Sequence, residues 1–79
     1  MDNPKDNQKL DDLLAAYRAA VERWIEAIRK EESLATPDHS VAEFDVWEQA
    51  GFAEEAARNR AKLARQEYID EIRRVLYNF

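Results

Sequence analysis

There is no cysteine among the 79 residues. Disulfide staples and thiolate metal sites are thereby excluded, and the composition suits a reducing compartment. One histidine, His39, stands alone, which disfavours a histidine-based metal site within a single chain. One glycine and two prolines are too few for a loop-rich or β-rich domain. No apolar run approaches the roughly 20 residues a membrane span needs. The opening Met1-Asp2-Asn3-Pro4-Lys5-Asp6 has neither the basic nor the apolar region of a secretory signal. Basic excess is missing too. Seventeen acids against twelve bases leave a net charge of −5, which disfavours a nucleic-acid partner or a polybasic membrane anchor. The expectation is a soluble, cytoplasmic chain with no cofactor and no membrane association.

What remains is helix. Ala, Glu, Arg and Leu dominate, and both prolines, Pro4 and Pro37, lie outside the periodic stretches. Leu10, Leu14, Tyr17, Val21, Trp24 and Ile28 recur at heptad spacing, with Leu13, Ala20 and Ile25 widening the stripe. This predicts a first helix over about 6–35, started by Asn3-Pro4 or by Asp6 and ended by Pro37. A turn follows over 36–40. Ser40-Val41-Ala42-Glu43 then forms a capping-box sequence, which places the start of a second helix of about 41–77. Its stripe is Trp47, Ala50, Glu54, Ala57, Ala61, Ala64, Tyr68, Ile72, Val75 and Phe79. The phase does not slip at Gly51, which favours one continuous helix.

The fold class expected is all-α: a single domain, 1–79, forming an antiparallel two-helix hairpin that dimerises into a four-helix bundle. Large residues of helix 1 would face small ones of helix 2. With the turn centred near 37–38, Trp24 meets Gly51, Tyr17 meets Ala57 or Arg58, and Leu14 meets Ala61. Trp24, Trp47, Phe44 and Tyr17 would form the core nearest the turn. On that register Tyr68, Ile69, Ile72, Val75, Leu76 and Phe79 overhang helix 1 and form the self-association surface of a homodimer. Phe52, Ala56 and Leu63 make a second, weaker apolar face.

No residue pattern points to catalysis. Glu22/Glu26 and Glu67/Glu71 stand at i, i+4, but no Glu-x-x-His of the di-iron bundles accompanies them, and a solvated face is expected. Glu54 is different, because it falls on the apolar stripe. A structural ion pair with Arg58 or Arg18 is expected there, with a metal or ligand site at a dimer interface as the alternative. Arg58, Arg60, Lys62 and Arg65 form the only concentration of positive charge, and would serve a nucleic-acid-associated regulator, but they spread around the helix. His39 beside Asp38 reads as a turn residue. The functional expectation is a non-enzymatic, self-associating hairpin acting as a protein–protein interaction or regulatory module.

Overall fold

In the computed structural model the described residues are 4–35 and 40–77, with side chains described from Asn7 onward. Two helices make up the structure: α1, Pro4–Leu34, and α2, Val41–Tyr77. They pack against each other. The turn residues Thr36 to His39, and Phe79, lie outside the described residues. Helix α1 begins with Pro4 in its first turn, where the missing N–H costs nothing. Helix α2 begins at the expected cap: Ser40 Oγ accepts from the Glu43 N–H at 3.1 Å, and the Ser40 carbonyl accepts from the Phe44 N–H at 3.0 Å. No break occurs at Gly51.

The molecule measures 60 × 17 × 13 Å, the size of a single layer of two helices. A single layer cannot enclose large side chains on all sides. Among the described residues the buried apolar ones are Ala20, Ala50 and Ala61, and no large side chain is fully buried. The covered positions recur at alternating spacings of three and four. On α1 they are Leu10, Leu13, Tyr17, Ala20, Trp24, Ala27, Glu31 and Leu34, with Leu14 and Val21 half-buried beside them. On α2 they are Ala50, Glu54, Ala57, Ala61, Ala64, Tyr68, Glu71 and Val75, with Gly51, Arg58, Ile69, Ile72 and Arg74 half-buried beside them. This is the seam of an antiparallel coiled coil.

The seam corrects the sequence reading in two respects. First, Ala20 is the most deeply buried residue of α1 and Ala27 lies in the contact with it, while Leu14 and Val21 are half-buried beside them and Ile28 is exposed. Small meets small: Ala20 lines one groove with Ala53 and Ala57, and Ala27 lines another with Ala50 and Ala53. Alanine against alanine lets the backbones approach closely, while the larger seam residues Leu10, Leu13, Tyr17 and Trp24 remain only half-buried. Ile25 is exposed, like Ile28. Second, the register lies further along α2 than a turn centred at 37–38 requires. Trp24 reaches Glu54 rather than Gly51, Tyr17 meets Tyr68 rather than Ala57, and Gly51 sits beside Glu31. Lys9 of α1 reaches Glu71. The first helix therefore runs alongside most of the segment expected to overhang. Tyr68, Ile69, Ile72 and Val75 are half-buried within the chain, and Leu76 is exposed.

Candidate functional site

Two polar centres tie the helices together, one at mid-length and one at the open end. At mid-length, Glu54 occupies a seam position, as its place on the apolar stripe implies. The Trp24 indole N–H donates to Glu54 Oε2 at 2.7 Å across the hairpin. Arg58, one turn along α2, places its Nε 3.7 Å from the same oxygen. That Nε is buried without a hydrogen bond, so the contact is an ion pair of long range rather than a directed bond. The expected partner Arg58 is thus in place, but the closer one is Trp24, which the sequence pattern assigns to an aromatic core near the turn. Indole carries a single donor on a large apolar body, so it can fill a seam and satisfy a partly buried acceptor at once.

At the open end stands Glu71, the most buried charged residue described, at 5 % exposure. Its sequence neighbourhood suggests a solvated face, and the structure overturns that. Arg74 embraces it: Nε donates to Oε1 at 2.9 Å and to Oε2 at 3.1 Å, and Nη2 donates to Oε2 at 2.7 Å. Lys9 Nζ approaches Oε1 at 3.3 Å from α1. The Arg74 hydrogen bonds hold the Glu71 carboxyl well below the usual carboxylate range, from 4.5 down to about 2, with burial opposing and Lys9 assisting. Glu71 falls on the seam only once Ala57, Ala64 and Glu71 are read as one heptad row. Ile72 beside it is the more obvious apolar choice, and it masks Glu71 in the sequence.

Both carboxylates are engaged by donors from their own chain. Among the described residues no group of three or more His, Cys, Asp and Glu side chains is placed to hold a metal ion. The basic cluster is divided by the fold. Arg60 lines a groove with Arg23 and alanines on one side of the seam, while Arg58 is drawn to Glu54. Grooves run along both flanks of the hairpin.

The most extensive unsatisfied feature is apolar. Val41, Phe44, Val46, Phe52, Leu63 and Leu76 are all exposed, and so are Ile25 and Ile28 on α1. Phe44 and Trp47 pack ring against ring, 5.9 Å between centroids, at the turn end. None of the described helices is long and apolar enough to cross a membrane. No protein-family model matches the chain, and neither does a curated protein or a solved structure. What the chain is rests on its geometry: a two-helix, all-α hairpin with an alanine seam, two cross-helix polar ties and apolar flanks.

Proposed function

We propose that this hairpin is a non-enzymatic interaction module that self-associates, two copies completing a four-helix bundle. One observation carries the reading: among the described residues the single chain fully buries no large side chain. Full burial of a Val, Leu, Ile or Phe stabilises by about 1.5–3 kcal/mol, and a chain of this size needs several. An alanine seam cannot supply that. A second hairpin laid on the apolar flank would. Binding would proceed by helix-face recognition, with apolar anchors giving affinity and charges giving register.

Sedimentation equilibrium and thermal unfolding over a hundredfold range of protein concentration test this. A dimer whose midpoint rises with concentration is expected, because assembly and folding are linked. A folded monomer with a concentration-independent midpoint would overturn the reading.

A further inference from the structure

The two sides of the seam are chemically unlike. In an antiparallel pair, the residue that follows each inner seam position lies on one common side. On α1 these are Leu14, Val21 and Ile28; on α2 they are Gly51, Arg58, Arg65 and Ile72. The groove lined by Glu31, Glu48, Gly51 and Glu55 opens on this side. The opposite side carries Arg23, Lys30, Ala53 and Arg60. The first side therefore holds the apolar surplus of α1, including Ile25, which is 41 % exposed.

Along this side α2 reads in four blocks. Val41 and Phe44 are apolar, Glu48 and Glu55 acidic, Arg58, Lys62 and Arg65 basic, and Ile69, Ile72 and Leu76 apolar. Reversed, the order places apolar on apolar and base on acid. Such a face is complementary to itself run backwards. We propose that a second copy of the chain docks here with its turn at the opposite end. The two-fold axis then crosses the helices near Val21 and Arg58, and each helix lies over its own copy. This rests on the self-association reading and specifies its geometry.

The pairings follow from the spacing. Glu48 comes opposite Arg65 of the copy, and Glu55 opposite Arg58. Val41, 81 % exposed in the single chain, comes opposite Ile72, and Phe44 opposite Ile69. On α1, Leu14 comes opposite Ile28 of the copy and Val21 opposite its own image, while Ile25 comes opposite Arg18 of the copy. The other two-fold arrangement has turns together and α1 over α2. It sets Lys62 against Arg18 and Glu48 against Glu32, and like charges in contact disfavour it. The antiparallel pairing brings one like-charge approach, Asp11 toward Glu32 of the copy, at the ends of the interface where water screens it.

The experiment measures dimer dissociation of full-length variants by sedimentation, with circular dichroism as the control for folding. Ile28→Glu, which sets a charge against Leu14 of the copy, should give a helical monomer, and Leu63→Glu, on the other side of the seam, should stay dimeric. Glu48→Lys and Arg65→Glu should each weaken the dimer by about tenfold or more, since each places two like-charge pairs in the contact. Mixing those two variants should restore wild-type affinity. In the heterodimer the two introduced charges face each other with opposite sign, and the unaltered Glu48 of one chain faces the unaltered Arg65 of the other. A wild-type dimer that survives Ile28→Glu but not Leu63→Glu would refute this face while leaving self-association intact. A mixture no tighter than either variant alone would refute the antiparallel order. A monomeric wild type would remove both readings.

Discussion

The Trp24 indole N–H and the Glu54 carboxylate meet across the hairpin at 2.7 Å, the shortest polar link between the two helices at mid-length. Each half covers the other's desolvation cost. Removing Glu54 would take away the acceptor of the indole N–H and the carboxylate beside Arg58 Nε. Glu54→Leu should therefore destabilise by about 1–2 kcal/mol, despite the better fit of an apolar residue to the seam. Glu54→Gln keeps an acceptor and should lose less. Urea unfolding of both variants in a Trp47→Phe background, followed by Trp24 fluorescence, measures the order. A Glu54→Leu variant more stable than Glu54→Gln would show that apolar packing at the seam outweighs the bond.

Acid should loosen the open end of the hairpin first. The Glu71 carboxyl has its folded value lowered from 4.5 to about 2 by the Arg74 hydrogen bonds, against burial and with help from Lys9. A lowered folded value means the unfolded chain binds the proton more readily. The stability this group contributes is therefore complete above about 4.5 and is lost as pH falls through about 2. Glu71→Gln should flatten the fall of stability over that window. An unchanged slope would place the acid sensitivity elsewhere.

Gly51 is not reserved for a close approach. A methyl group there would meet only the Glu31 carboxylate, at 3.6 Å from Oε1, an ordinary contact with a movable side chain. Helix propensity then decides the outcome. Gly51→Ala should stabilise the fold by about 0.5–1 kcal/mol. A thermal midpoint that falls would mean that the Trp24-to-Gly51 register, rather than the one described, applies in solution.

The start of α2 depends on one hydroxyl. Ser40 Oγ satisfies the Glu43 N–H at 3.1 Å. Ser40→Ala should cost about 1 kcal/mol, and Ser40→Asp should retain most of the stability because its carboxylate also caps and faces the helix dipole. Thermal unfolding of the two variants side by side provides the check.

Two long helices, their capped and proline-marked ends, and their return along each other are legible in the chain alone. These are local properties: propensity, heptad spacing and a Ser-x-x-Glu box act within a few residues. Glu54 is legible on the seam as well, because one charge on an apolar stripe stands out without a neighbour. Which of two adjacent rows of α1 is the more deeply buried is a different matter, resolved by packing. Leu14, Val21 and Ile28 are the more apolar row, but Ala20 and Ala27 permit the closer approach to Ala50, Ala53 and Ala57, and closeness depends on both helices at once. The register is likewise set by pairs, Trp24 with Glu54 and Lys9 with Glu71, whose members are 30 or more residues apart. Glu71 looks like a surface acid in the sequence for the same reason: its burial is created by the facing end of α1, and its charge is kept there by Arg74 and Lys9 together.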